Sequence, residues 1–361
     1  MRTGYTTLPL HGGHAPRWLF ERMVKLAGSI TEAIVIEFGT KEFLKRVSDP
    51  VWFQSLGCVL GFDWHSSGLT TTTTGAIKEG IKNKMFELGI FVAGGKGKTS
   101  LKTPEEIRKI GDITGISPGP LVLASKASAK TDAVLLQDGY NIYHHTFFFD
   151  RYSNWAVVQQ GMNERKRKAR RYHWLSGVFK RFDEEPHTGI IAPQKEKNVI
   201  DLTSRRSRGN KNKIVEILKN ESPYKVVLEY KRAIKSLSLP LRHYIVPYKD
   251  ISEKYLFRIL KTTYERGFEG FEDFYLIRGV GPSTVRALSM LADVVFGAKP
   301  SFEDPVVYSY AHGGKDGFPY PVNRNVYDNS INVMENAIKK AKIGKKEELL
   351  ALWRLSKVFN S

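Results

Sequence analysis

Residues 271–296 read FEDFYLIRGVGPSTVRALSMLADVVF, and the punctuation in the middle decides how the stretch folds. The apolar pattern of a short helix stops at Ile277, Gly279-Val280-Gly281 makes a turn, and Pro282 opens a second helix at its first position, where a missing N–H costs nothing. Val285, Leu288, Leu291, Ala292 and Val295 recur at helical spacing, so the second helix has a buried face to hold the turn in place. Two glycines let the backbone come close to a ligand, and the N–H groups at the helix start suit an anion such as phosphate. Arg278, Ser283, Thr284 and Arg286 surround the turn with further donors.

Hairpin, apolar frame and proline together resemble the helix-hairpin-helix modules of DNA repair proteins. The resemblance implies a grip on the sugar-phosphate backbone, with Gly279, Val280 and Gly281 at the contact, which carries no sequence information. In DNA glycosylases of this kind an essential Asp follows a Pro-Val pair after the hairpin. Here Pro321-Val322 is followed by Asn323, which has no carboxylate to act as a base, so the chain departs from that pattern. The same Gly- and Tyr-rich stretch carries His312, Lys315, Asp316, Arg324 and Asp328, and loops of this composition more often serve function than packing.

Charge points the same way. Lys plus Arg number 56 against 37 for Asp plus Glu among 361 residues, a formal charge of +19. Such an excess favours a polyanion over an acidic metabolite through counterion release. The length leaves room for two domains. A single cysteine, Cys58, excludes an internal disulfide and fits a reducing compartment. No apolar run approaches about 18 residues and no signal peptide is visible, so the expectation is a soluble cytoplasmic protein without a membrane partner.

The N-terminal part, residues 1–181, is expected to be an α/β domain with a small mixed sheet. His11 and His14 flank a glycine pair that makes a loop. An amphipathic helix follows from Ala15 to about Leu26, and Ala33–Phe38 (AIVIEF) reads as a strand by its β-branched content. Asp63 and His65 lie two apart beside Trp64 and suit a metal or a general-base pair. GIFVAGGKGKTSLKTPEEI, residues 89–107, lacks the first glycine of a nucleotide-binding P-loop. Thr103 and Glu106 read as a capping box, which leaves Lys96 and Lys98 on a basic loop that can touch nucleic-acid phosphates.

From residue 121 to residue 160 the pattern is β: LVLAS, DAVLLQ, NIYHHTFFF and NWAVVQQ, separated by turn signals. Asp132, Asp138, His144 and His145 fall on or near these strands, where carboxylates can hold Mg²⁺ or Mn²⁺ and a His or Lys can handle the attacking water. Residues 161–177 then read GMNERKRKARRYHWLSG. As a helix this places Arg167, Arg170 and Arg171 on one face for several phosphates, followed by Tyr172, His173 and Trp174 as stacking surfaces for a base. Residues 182–223 are densely charged and read as a linker that orders on nucleic acid, and residues 224–361 as an all-helical domain around the hairpin.

Several phrases run along nearly the whole chain: LPLHGG, GFDWHSSG, GGKGK before TPEEI, LQDGY then YHH, VVQQGMN then ARRYHWLSG, and AHGGKDG with PYPV. Together they resemble an archaeal and bacterial family catalogued as domain of unknown function 763. That resemblance implies no chemistry, so the residues carry the expectation: an α+β protein that binds single-stranded or structured DNA. The leading expectation is a metal-dependent nuclease of DNA repair or recombination, with Asp138 and Asp63 as metal ligands, Asp132 as the other candidate for the second ligand, and His65, His144 or His145 as base or ligand. A non-catalytic structure-specific DNA binder and a glycosylase-like enzyme are the alternatives.

Overall fold

The structure, a computed structural model, describes residues 15–62, 66–197, 199–236, 251–306, 324–341 and 343–360. Its centre is a five-stranded sheet of β1 (Ile90–Lys96), β3 (Asn141–Asp150), β4 (Trp155–Asn163), β5 (Lys168–Leu175) and β6 (His187–Ile191), ordered β1-β3-β4-β5-β6. Every neighbouring pair is antiparallel, which corrects the expected mixed sheet. Tight turns join β3, β4 and β5 in sequence, and such turns leave no room for the crossover that a parallel pair requires.

Both faces of the sheet are covered. Phe148, Ala156 and Val158 join a core with α1 (Arg17–Ser48), α2 (Pro50–Val59) and α3 (Gly68–Ile81). Phe147, Phe149, Val157, Tyr172 and Trp174 point the other way, into a core with α6 (Thr103–Thr114) and α7 (Pro118–Lys130). Along the chain, α4 (Met85–Leu88) leads into β1, and α5 (Lys98–Leu101) lies between β1 and α6.

Two expected strands are helical. Residues 33–38 lie within α1, because Met23, Ala27, Ile30 and Ile34 form one buried stripe at alternating steps of four and three. That periodic face outweighs the strand preference of Ile34 and Val35. The helix bends at Gly39, where φ is 85° and ψ 167°. LVLAS lies in α7, which Pro118 opens. DAVLLQ makes a π-helical turn, Thr131–Leu135, and then enters the two-residue β2 (Leu136–Gln137), paired with β7 (Ile200–Asp201).

A further core gathers α8 (Arg208–Asn220), α9 (Pro223–Ser236), α10 (Glu253–Arg266), α11 (Phe271–Leu276) and α12 (Pro282–Val294) around Leu256, Phe274, Val285 and Leu288. The stretch expected as a linker, residues 182–223, therefore supplies β6, β7 and α8. The last helices, α13 (Arg324–Lys340) and α14 (Lys345–Asn360), return to the first core through Met334, Ile338, Ala351 and Leu355. The helices α9 to α14 are thus divided between two cores.

Glycines on α1 and α3 let the two helix backbones approach closely. A Cβ on Gly28 would sit 2.5 Å from the Gly80 carbonyl oxygen, and one on Gly80 would sit 2.5 Å from the Val24 carbonyl oxygen. Gly28→Ala gains about 1 kcal/mol of helix propensity but forces two backbones apart, which costs about 1–3 kcal/mol. The expected outcome is a net destabilisation in urea unfolding, and a stabilised variant would contradict the contact.

Candidate nucleic-acid interface

The bend between α11 and α12 is fixed from inside. Ile277 and Val280 are buried, while Arg278 and Gly279 between them are exposed. The Val280 N–H donates to the Ile277 carbonyl at 3.1 Å and closes the turn. Gly279 has φ +95°, where a side chain is strained, and a Cβ there would lie 2.8 Å from Ile259. Gly281 is different: its backbone is extended (φ −123°, ψ −179°), and a Cβ would meet nothing within 4 Å.

Three carbonyl oxygens of the bend accept hydrogen bonds from side chains of other elements. Lys130 Nζ donates to the Ile277 oxygen at 2.6 Å, Tyr255 Oη to the Gly279 oxygen at 3.1 Å, and Gln137 Nε2 to the Pro282 oxygen at 2.9 Å. The negative ends of these peptides are thereby engaged. Arg278 is exposed beside them, and Arg258 stacks on the Tyr255 ring at 4.9 Å. Burial lowers the Lys130 ammonium to about 8. Of the other expected donors, Ser283 is half-buried, and Thr284 and Arg286 turn into the core.

The sheet residues expected to carry chemistry are spent on one another. The Asp138 carboxylate accepts from Arg170 Nη1 at 2.9 Å, Tyr172 Oη at 2.7 Å and the Tyr140 N–H at 2.9 Å. Arg170 also donates twice to Asp304, at 3.1 and 2.6 Å, and lies over the Tyr140 ring. Burial pushes the Asp138 carboxyl up to about 6 against the pull of Arg170. Asp132 belongs to another buried network. It accepts from Trp174 Nε1 at 3.0 Å and His187 Nε2 at 2.5 Å, and also from Gln159 Nε2. Gln159 Oε1 takes the Nδ1 proton of His145 at 2.7 Å, and Ser125 Oγ meets His145 Nε2 at 2.9 Å. His144 faces the opposite side, with Nε2 against Thr74 and Thr146 hydroxyls at 3.1 and 2.9 Å.

Asp132, Asp138, His144 and His145 therefore do not converge, and among the described residues no three His, Cys, Asp or Glu side chains are placed to hold a metal ion. His11, His14, Asp63, His65, His312, Lys315, Asp316 and Asn323, and the side chains of Arg324 and Asp328, lie outside the described residues.

The basic stretch is not a helix. Residues 164–167 are the β4–β5 turn, made by the Asn163 side chain accepting from the Lys166 N–H at 3.0 Å and by Arg167 at φ 51°, and β5 begins at Lys168. Strand alternation sends Arg170 and Tyr172 to one face and Arg171 and His173 to the other, all fully buried, so they are neither a phosphate-gripping face nor a stacking surface. Arg171 donates to Gln54 Oε1 at 2.9 Å and to His173 Nε2 at 2.9 Å, and His173 Nδ1 meets the Val47 carbonyl. Arg167 stays exposed, as do Lys96 and Lys98. The expected capping box does not form, because Glu106 instead takes the Gly94 N–H at 2.8 Å and Lys78 Nζ at 2.7 Å.

A cleft of about 820 Å³ between residues 178–185, α8 and the start of α11 was not foreseen. Its Asp183 is buried against Lys211 at 2.9 Å and Arg181 at 2.8 Å, and Arg208 pairs with Glu184 at 2.6 Å. Charges of both signs cancel across it, so it lacks the field of an anion site. The alternation of DEE at 183–185 with RRSR at 205–208 was the available signal.

A model of a family described as protein of unknown function (DUF763) matches residues 4–322. No match is found among curated proteins or among solved structures.

Arg170→Met would leave Asp138 and Asp304 without their shared cation. It is expected to lower the unfolding free energy by at least about 3 kcal/mol, whereas Asp138→Asn, which leaves Arg170 paired with Asp304, costs less. Urea titrations giving the reverse order would contradict the pairing.

Acid should also destabilise the fold. Burial lowers His144 to about 3 from an ordinary 6.5, and it lowers His145 and His173 as well. Their stabilising contribution is present above about 6.5 and is lost as pH falls, for His144 between about 6.5 and about 3. Asp138 acts in the opposite sense, its contribution being present below its unperturbed 3.8 and lost as pH rises through about 6. Burial raises Asp201 and Glu272 as well, and they add to Asp138, so the check is a difference: relative to the parent, His144→Gln flattens the fall in stability below about pH 6.5 by about 1.4 kcal/mol per pH unit. An unchanged slope in the variant would refute this.

Proposed function

The chain belongs to the DUF763 family, whose description names no activity, and from the geometry we propose that it is a DNA-binding protein that grips the sugar-phosphate backbone at the bend between α11 and α12. The observation that carries the reading is the state of the bend. Arg278 and Gly279 are exposed on a frame pinned by buried Ile277 and Val280, with three carbonyls tied back by Lys130, Tyr255 and Gln137. What is exposed there is a guanidinium, beside the half-buried start of a 13-residue helix, in a chain of formal charge +19. Such an end attracts phosphate through its amides and its dipole. On this reading the module is of the helix-hairpin-helix kind and acts without reading base sequence.

The reading assigns no chemistry to Asp138 or Asp132, whose oxygens accept from neighbouring side chains. It therefore favours a binder over a nuclease. Cleavage of labelled DNA in Mg²⁺ or Mn²⁺ that Asp138→Asn abolishes without loss of binding would reinstate the enzyme.

Gly281→Glu is the direct test, because its extended backbone and open surroundings accept a side chain without strain. It is expected to weaken DNA binding in fluorescence anisotropy at low salt by about tenfold or more, and Arg278→Gln to reduce the salt slope by about 1. Unchanged affinity and slope in both variants would end the proposal.

A further inference from the structure

We infer that the end of the sheet where β1 stops and β5 begins is a second backbone-contact surface, and that the partner spanning it is a double-stranded nucleic acid. The inference rests on the binding reading above and extends it to another part of the molecule.

The antiparallel order places the C-terminal end of β1, the N-terminal end of β3, the C-terminal end of β4, the N-terminal end of β5 and the C-terminal end of β6 at one rim. Three stretches far apart in sequence thus deliver cations to the same place: Lys96 and Lys98, then Arg165 and Arg167, then Lys195 and Lys197. All six are exposed, and none has an ion-pair partner among the described residues. Of the acids in these segments, Glu196 is already taken by Lys166 and by the Tyr140 hydroxyl, which leaves Glu164 alone against six cations. Some exposed cations elsewhere sit one helical turn from a carboxylate, as in Lys109–Glu105, Lys225–Glu221 and Lys261–Glu265. Like charges gathered without counter-charges repel, and a polyanion relieves that repulsion by counterion release.

The rim adjoins the bend. Gln137, which donates to the Pro282 carbonyl, is four residues before Asn141, the first residue of β3, so their Cα atoms are within about 14 Å. Five strands at about 4.8 Å spacing make the rim about 19 Å wide. A duplex presents about eleven phosphates over that length.

A duplex is favoured over a single strand by where the aromatic rings lie. Single-strand sites stack bases on exposed rings, but Tyr172, His173 and Trp174 are wholly buried. Among the described residues of these segments, the half-buried Tyr143 is the one ring with any exposure, and its hydroxyl is bound by Gln160. What this end offers is charge, and charge density is higher on a duplex.

The test compares the full-length protein with the quadruple variant K96Q/K98Q/R165Q/R167Q and with Gly281→Glu, on a labelled duplex and on one of its strands, at several salt concentrations. The parent is expected to bind the duplex more tightly than the strand. The quadruple variant should bind the duplex at least about tenfold more weakly at low salt, its log–log salt slope reduced by roughly 3 to 4, with an unchanged melting curve because all four side chains are exposed. An unchanged slope overturns the rim whatever Gly281→Glu does, and tighter binding to the strand overturns the duplex. Loss in the quadruple variant with normal binding by Gly281→Glu supports the rim and removes the bend instead. Binding to neither probe by the parent ends both.

Discussion

Covering both faces of an antiparallel sheet commits the buried polar side chains on its central strands to partners inside the protein. An antiparallel sheet often leaves one face to water, but here α1–α3 lie on one side and α6–α7 on the other. Histidine, glutamine, arginine and aspartate on β3, β4 and β5 cannot be solvated, and an unpaired buried polar group costs about 1–3 kcal/mol. They are therefore joined into networks: Asp138 with Arg170 and Asp304, Asp132 with Gln159, His145 and His187, and Arg171 with Gln54 and His173. The same constraint decides what these residues do. Side chains of catalytic type are bound to one another inside the protein, and the unpaired exposed cations of the sheet lie at the ends of its strands.

Those ends differ from the interior in being fixed locally. At the α11–α12 bend a positive-φ glycine, a proline at the first helical position and two buried aliphatic residues determine the geometry within a few positions. At the sheet end, an Asn side chain and Arg167 at positive φ make the β4–β5 turn and leave its cations outside. In both places backbone geometry offers charge to solvent while neighbouring apolar residues hold the frame.

The contrast also explains what the sequence disclosed. The bend was legible because Gly279, Gly281 and Pro282 act on their immediate neighbours. The runs NIYHHTFFF and NWAVVQQ were legible as strands because rows buried on both faces read as continuous apolar stretches. Residues 33–38 misled because β-branched content competes with a stripe at helical spacing, and that stripe is visible only when the window extends back to Met23. The arginine run misled because charge density resembles a solvated helix, whereas alternate residues enter opposite cores. The roles of Asp138 and Asp132 were beyond local reading. Their partners include Asp304 and His187, brought near only by the completed fold.

Arg170 carries a consequence for how the chain reaches that fold. Its two carboxylates come from the turn before β3 and from residue 304, the latter 134 positions away. Burying the guanidinium with only one of them in place leaves an incomplete cluster in a low-dielectric interior. Burial of β5 and docking of the segment around residue 304 are therefore coupled through one side chain. Contacts between residues so distant in sequence carry a loop-closure cost, so this pairing is slower to form than any single strand turn or helix.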